Sequence, residues 1–147
     1  MAHLTAVIGA VSVASNCFFS TDSETGRVVG IISTGGPGPV VIEAPDTVRL
    51  GAAFGAIVNS FGSSSCTTPD GVKLTLGPAQ ARVIPFDRVP ADDGIACTAD
   101  ISPRPHPVEL RFTESGTATI VAEGMTIREN GERVRGTVAK AVVVVPW

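Results

Sequence analysis

The chain has 147 residues, a formal net charge of −3, and charged side chains at only 17% of its positions. This length allows one domain with short appendages, and the mildly acidic charge excludes the basic surface that nucleic acid requires. Val, Thr, Gly and Pro are abundant whereas the helix formers Lys, Glu and Gln are scarce. This composition predicts an all-β fold before any periodicity is considered.

The first feature along the chain is an apolar run from Leu4 to Ala14. It is too short to span a bilayer and is typical of the apolar core of an export signal. We therefore interpret residues 1–16 as an export leader and Cys17 as a lipid-acceptor cysteine of the bacterial lipoprotein type. Two alternatives stay open: ordinary signal-peptidase cleavage after Ala14, and residues 4–14 as the first strand of a cytosolic domain.

Residues 17–38 are polar at first and then rich in Gly and Pro, which predicts a flexible tether. Within it the short apolar run RVVGIIS is either a strand or an apolar part of the linker. The compact domain is predicted to cover residues 39–147.

From residue 39 onward, alternation of apolar and polar residues recurs between turn signals. PVVIEAPDTVRLG is predicted as an opening strand that breaks at Ala44-Pro45-Asp46 and resumes. AAFGAIVNSFG, VKLTL and ARVIPF are further predicted strands. Pro85 in the last of these indicates a sheet edge or a bulge, because proline cannot donate to a ladder.

Residues 87–107 are predicted to be a loop whose prolines at alternate positions, in PRPHP, hold the chain extended. VELRF and GTATIVAEG then resume the alternation, with Ala118, Ile120 and Ala122 expected to point inward.

Asn130-Gly131 lies between two alternating runs and predicts a hairpin with a two-residue turn. In that register Glu129 faces Glu132 and Arg128 faces Arg133 at a solvated tip. The final AVVVVPW is apolar on both faces and is expected to be a buried strand.

Seven to eight short strands without a helix predict a two-sheet antiparallel β-sandwich. APDTVRLG, AAFGAIVNSFGSSSC, IACTAD and ESGTATIVAEG resemble the immunoglobulin-like modules of bacterial secreted proteins and lipoproteins, over residues 39–145. The resemblance implies an Ig-like, extracytoplasmic sandwich that ends in a hairpin. The chain departs from antibody domains, which bury a Trp between disulfide-linked sheets, because its one Trp is Trp147 and its cysteines are placed in loops.

Cys66 and Cys97 are expected to form a structural disulfide, since an oxidising compartment would pair them. On the loop-entropy model such a bridge stabilises the domain by roughly 3–4 kcal/mol. Free thiols, an intermolecular bridge, and a catalytic or metal-binding cysteine are the alternatives. The sequence contains no CxxC redox or zinc arrangement.

A candidate binding loop is formed by Asp87, Asp92, Asp93, Asp100 and His106. Carboxylates of this kind suit hard cations such as Ca²⁺, but their spacing matches no known calcium loop. Solubilising loop charge, with an exposed His106, is therefore the preferred interpretation. We predict no catalytic residue, no metal and no cofactor.

These patterns predict a non-catalytic, extracytoplasmic structural or protein-binding module, either a cell-envelope lipoprotein or a secreted protein. Its expected partner is another envelope protein, bound by the loops of residues 87–107 or by strand addition at a sheet edge. Contact with a membrane is expected only through a lipid on Cys17, and no nucleic acid is expected. The alternative is a periplasmic small-ligand or metal-ion binding protein that uses the Asp-rich loop and His106.

Overall fold

A computed structural model of the chain describes residues 26–35, 38–91 and 94–147. The predicted leader, Cys17, most of the tether, and Asp92 with Asp93 lie outside these residues. In the described part of the chain no residue is helical, and so no helix there could cross a membrane.

The all-β class is confirmed. The described residues form ten strands: β1 (Arg27–Val29), β2 (Ile31–Ser33), β3 (Ile42–Glu43), β4 (Thr47–Arg49), β5 (Phe54–Gly62), β6 (Thr68–Leu76), β7 (Gln80–Arg88), β8 (Ser102–Leu110), β9 (Gly116–Ile127) and β10 (Arg133–Val145). The predicted break at Ala44-Pro45-Asp46 separates β3 from β4.

Hydrogen bonds link the ten strands into one branched, mixed sheet. β5 pairs with β3 and β8, while β9 pairs with β10, β7 and β2, and β2 connects the two groups. The pairs β4–β10, β7–β9 and β2–β9 are parallel. The sheet is therefore mixed, in contrast to the purely antiparallel sheets that we predicted.

One hydrophobic core lies between the inward faces of these strands. The inward side chains of β9 are those predicted, since Ala118, Ile120 and Ala122 are completely buried. They share the core with Val58 of β5 and Val83 of β7. Because β5 and β7 are not hydrogen-bonded to each other, they meet across the core rather than side by side.

Residues 27–33, which we assigned to the tether with a strand as the alternative, form β1 and β2. β1 pairs with the end of β7 and β2 pairs with the end of β9, beyond the point where β7 and β9 stop pairing with each other, so the sheet begins well before residue 39. Gly30 lies between β1 and β2, where its N–H donates to the Pro85 carbonyl and its own carbonyl accepts from Met125 N, both at 2.9 Å.

Pro85 lies in the interior of the sheet, since β7 has β6 on one edge and then β9 and β1 on the other. The predicted irregularity is present as a register shift in the facing strand β6, between Pro69 and Val72. Pro85 itself lies after the last β7–β9 pair, where no ladder bond is needed.

The proline-rich run is a strand and not the loop that we predicted. β8 pairs with β5 along its whole length and has no second partner strand in the described ranges. Alternate residues of an antiparallel strand direct their N–H groups toward and away from the partner. Arg104 and His106 can therefore donate to β5, while the N–H groups that Pro103, Pro105 and Pro107 lack fall on the free edge.

The terminal hairpin forms where predicted, with a different register. Arg128 N donates to the Glu132 carbonyl, Gly131 N donates to the Arg128 carbonyl, and Arg133 pairs with Ile127. A two-residue type I′ turn needs positive φ at both central residues, and here only Gly131 has it, at 80°. The longer loop places Arg128 beside Glu132, at 2.9 Å, instead of opposing like charges.

The end of β10 is buried on one face only. Val142 and Val144 are in the core, whereas Val143 is 49% exposed on the opposite face. Our prediction of burial on both faces is wrong here, because nothing in the described chain packs over the outer face of β10 at this point.

Candidate functional site

Ser60, Asp87 and His106 form a buried polar cluster. Ser60 Oγ donates to Asp87 Oδ1 at 2.8 Å, and His106 Nε2 lies 3.0 Å from Ser60 Oγ and 3.1 Å from Asp87 Oδ1. All three residues are at most 2% exposed. The structure thus brings together two of the five predicted loop residues, Asp87 and His106, and places both in the core.

The strand register explains why these side chains meet. Ser60, Asp87 and His106 each occupy an inward position and follow or precede apolar inward residues of the same strand, on β5, β7 and β8 respectively. Gly30 closes the cluster from one side, since a Cβ there would lie 2.7 Å from Ser60 Cβ and 3.0 Å from Asp87 Oδ2. Each polar group obtains a partner within the cluster, as burial requires.

The cluster is not arranged as a hydrolytic triad. In a triad the imidazole contacts the serine through one nitrogen and the carboxylate through the other. Here the same nitrogen, His106 Nε2, faces both partners, and Ser60 donates its hydroxyl proton to Asp87. Ser60 is also completely buried, and this arrangement is suited to stabilising the core.

Arg104 continues the inward row of β8 beyond His106 and pairs in register with Ser60. Its Nε and Nη2 atoms are buried and have no hydrogen-bond partner among the residues that the structure describes. Buried donors without partners are rare in native proteins and mark either strain or a site that takes up an acceptor. Arg104 was not among the predicted residues.

The second feature of this end of the molecule is the disulfide between Cys66 and Cys97, whose Cα atoms are 5.6 Å apart. The predicted pairing is confirmed. The bond joins the β5–β6 turn to the irregular segment before β8. We call residues 94–101 of that segment the disulfide loop.

Short polar side chains hold the disulfide loop in place. Thr98 Oγ1 lies 2.8 Å from Ser63 Oγ, and Thr98 N donates to Ser65 Oγ at 2.9 Å. Asp100 Oδ1 accepts from both the N–H and the hydroxyl of Ser64, at 3.1 and 2.9 Å. Ser63, Ser64 and Ser65, which we call the serine run, therefore act as the hydrogen-bonded base of the loop.

Asp100 is the ionisable side chain in this hydrogen-bond network. Hydrogen bonds from Ser102, from Thr98 and from the Ser64 backbone hold the pKa of its carboxyl well below its usual value of 3.8. The network therefore favours the ionised carboxylate.

The disulfide loop exposes apolar side chains. Ile95 is 52% exposed and Ile101 is 61% exposed, one near each end of the loop. Isolated exposed apolar residues are ordinary. Here both lie on a loop that the Cys66–Cys97 bond holds to the β5–β6 turn.

A pocket of about 550 Å³, which we call the Val28 pocket, adjoins the base of the loop. It lies beside Ser63 and Thr67, on either side of Cys66, and Asp87 and Arg133 contribute its charged groups. The remaining wall is mainly apolar and comprises Val28, Val29, Ile31, Phe61, Gly62, Val89 and Met125.

The predicted binding loop is therefore divided. Asp87 and His106 are in the core, Asp100 is at the surface with the serines, and Asp92 and Asp93 lie outside the described residues. Within the described ranges, no group of three or more His, Cys, Asp or Glu side chains could hold a metal ion. His106 is 2% exposed, which corrects our expectation of an exposed side chain.

Comparison with known proteins found no matching family model, no similar curated protein and no similar solved structure.

Proposed function

We propose that this chain is a non-catalytic, extracytoplasmic module that binds another protein through the disulfide loop. In this proposal the fold is an Ig-like β-sandwich, residues 1–16 are an export leader, and a lipid on Cys17 anchors the module in the bacterial cell envelope. If the leader is cut after Ala14 instead, the module is secreted.

The observation that carries the proposal is the preorganised disulfide loop. Its position is determined by the Cys66–Cys97 bond and by the contacts of Thr98 and Asp100 with the serine run. A loop that is already ordered loses little conformational entropy on binding. The free energy gained when a partner buries Ile95 and Ile101 is therefore available to affinity. Loops on a rigid β scaffold are also the usual place for recognition.

Two further observations support parts of the proposal. The disulfide is compatible with an oxidising compartment outside the cytoplasm. The inaccessible Ser60 and the arrangement of its partners favour binding over hydrolysis at the Ser60–Asp87–His106 cluster.

The test begins with a photocrosslinking residue at position 95 of the chain, expressed with its leader in a Gram-negative bacterium. The protein that becomes crosslinked is then identified and purified. The affinity of the purified pair is then measured for the double variant Ile95→Ser/Ile101→Ser. We expect binding to weaken at least tenfold. The matched control is Leu76→Ser, which removes a 49% exposed side chain at the other end of β6 and should leave binding unchanged.

Equal binding by the folded double variant and the control would exclude the disulfide loop as the site.

Localisation is tested separately by the intact mass of the exported protein before and after reduction. Loss of residues 1–16, a lipid mass on Cys17 and two thiols released only by reduction are expected. An uncleaved chain would contradict export.

The Val28 pocket favours a second function, the carriage of a small apolar ligand. Its volume of about 550 Å³ lies within the usual range of ligand sites, about 300–1,000 Å³. Thermal-shift measurements with medium-chain alcohols and carboxylates, compared between wild type and Val28→Asp, test this candidate. Calorimetry against Ca²⁺, Zn²⁺ and Cu²⁺ tests the metal-ion alternative, which receives no support from a described ligand group.

A further inference from the structure

A groove of about 580 Å³ runs over the outer face of β3, β5 and β8, and we call it the Gly55 groove. Its lining consists of Glu43, Ala44, Pro45, Gly55, Ala56, Ile57, Pro107, Val108 and Glu109. It lies near the start of β5 and the end of β8, whereas the disulfide loop adjoins the opposite ends of both strands. The two sites can therefore be tested independently.

The groove exists because Gly55 has no side chain. Gly55 is exposed on the outer face of β5, opposite Glu109, and a Cβ placed there meets nothing within 4 Å. Its backbone does not have positive φ, so no conformational reason requires glycine here. Pro45 and Pro107 form rigid walls, and a rigid site binds with little loss of entropy.

Two carboxylates flank the apolar floor. Glu43 pairs in register with Ile57 on one side of β5, and Glu109 pairs with Gly55 on the other side. Glu43 Oε1 accepts a hydrogen bond from Asn59 Nδ2 at 2.6 Å, which leaves its charge unneutralised. Neither glutamate has an ion-pair partner in the described part of the chain.

The spacing of these two glutamates along the sheet indicates the ligand. Their Cα positions are two strands apart, about 10 Å, and two residues apart along the strands, about 7 Å, which gives a diagonal of roughly 12 Å between the two backbone positions. An extended peptide advances about 3.3 Å per residue, so side chains four positions apart are separated by roughly 13 Å. We propose that the Gly55 groove binds an extended segment of a partner protein that carries two Lys or Arg residues four positions apart, with small apolar residues between them.

The experiment uses the oxidised full chain, labelled with ¹⁵N, and a blocked peptide of sequence Ala-Lys-Val-Ala-Val-Lys-Ala. We expect the peptide to shift the amide resonances of Gly55, Ile57 and Glu109. The same peptide with Glu in place of both Lys should shift none of them. Since exposed ion pairs are weak, Glu109→Gln should reduce affinity only about two- to fivefold and should lessen its salt dependence.

Gly55→Leu fills the groove and should reduce binding at least tenfold. The matched control Ala141→Leu places the same leucine side chain at an exposed outer position of β10 and should bind as wild type does. The double variant Glu43→Lys/Glu109→Lys provides a second readout, because it should prefer the acidic peptide.

Three results would overturn the proposal: no groove resonance shifts, equal binding of the acidic peptide, or equal binding by Gly55→Leu and its control. The Ile95→Ser/Ile101→Ser variant should bind the peptide normally. Failure at the groove is therefore distinguishable from failure of the proposed function of the disulfide loop.

Discussion

Removal of the Cys66–Cys97 bond should destabilise the domain chiefly through its unfolded state. The bond joins residues 31 positions apart. For a closed loop of that size the chain-entropy model gives about 12 cal/mol/K, or about 3.7 kcal/mol at 25 °C. The native loop has independent support from the Thr98 and Asp100 hydrogen bonds, so we expect its structure to persist without the bond.

The variant to make is Cys66→Ala/Cys97→Ala, combined with Cys17→Ala so that no other thiol can exchange. Cys97 is exposed and Cys66 is only half-buried, so the alanines remove little buried surface. Urea unfolding should show a loss of about 3.7 kcal/mol, and the slope m should rise because the unfolded chain is no longer cross-linked. The thermal midpoint should fall by roughly 10–15 °C.

The control is the Cys17→Ala protein with the bond intact, and its reduced form should reproduce the double-alanine result. A loss below about 1 kcal/mol with an unchanged m would contradict the entropic origin of the effect. That result would mean that the unfolded chain gains little freedom when the bond is absent.

Three further predictions concern single side chains. Ser60→Ala removes a buried donor to Asp87 and should cost about 1–3 kcal/mol in urea unfolding; no measurable loss would contradict the cluster's stabilising role. The pKa of Asp100 is lowered in the folded protein. The contribution of this carboxylate to the free energy of unfolding is therefore fully present above the usual pKa of 3.8 and is lost as pH falls below that value. Wild type should therefore lose more stability between pH 5 and pH 3 than Asp100→Asn does, and parallel declines would be inconsistent with the lowered pKa. Gly124→Ala places a Cβ 2.6 Å from a backbone carbonyl and should cost about 1–3 kcal/mol. The control is Gly55→Ala, whose added Cβ meets nothing within 4 Å and should not lower the thermal midpoint. Equal effects of the two variants would show that the contact with the Gly30 carbonyl is not the reason for glycine at position 124.

The inward face of β9 and the position of the terminal hairpin could be predicted from local pattern. The alternation of GTATIVAEG correctly placed Ala118, Ile120 and Ala122 inward, since strand periodicity needs no knowledge of the partner. The hairpin position followed from Asn130-Gly131, but its register depended on backbone angles that composition does not specify.

The predictions that failed depend on distant residues. PRPHP is a strand because a free edge tolerates prolines at alternate positions, and the edge status of β8 is a property of the whole sheet. The Ser60–Asp87–His106 cluster requires that β5, β7 and β8 be aligned across the core. The alternation of AAFGAIVNSFG could have revealed an inward Ser60, but its partners could not have been identified from spacing.

The parallel pairing of β4 with β10 has a consequence for how the chain folds. Thr47–Arg49 of β4 pair with Val143–Val145 of β10. β4 is synthesised early and cannot pair until β10, near the end of the chain, has been synthesised. β1 and β2 likewise depend on β7 and β9. Such long-range contacts slow folding, and a chain synthesised from its N-terminus cannot complete this sheet until nearly all of it has emerged. The topology therefore leaves the sheet of the nascent chain incomplete until the last strand has been synthesised.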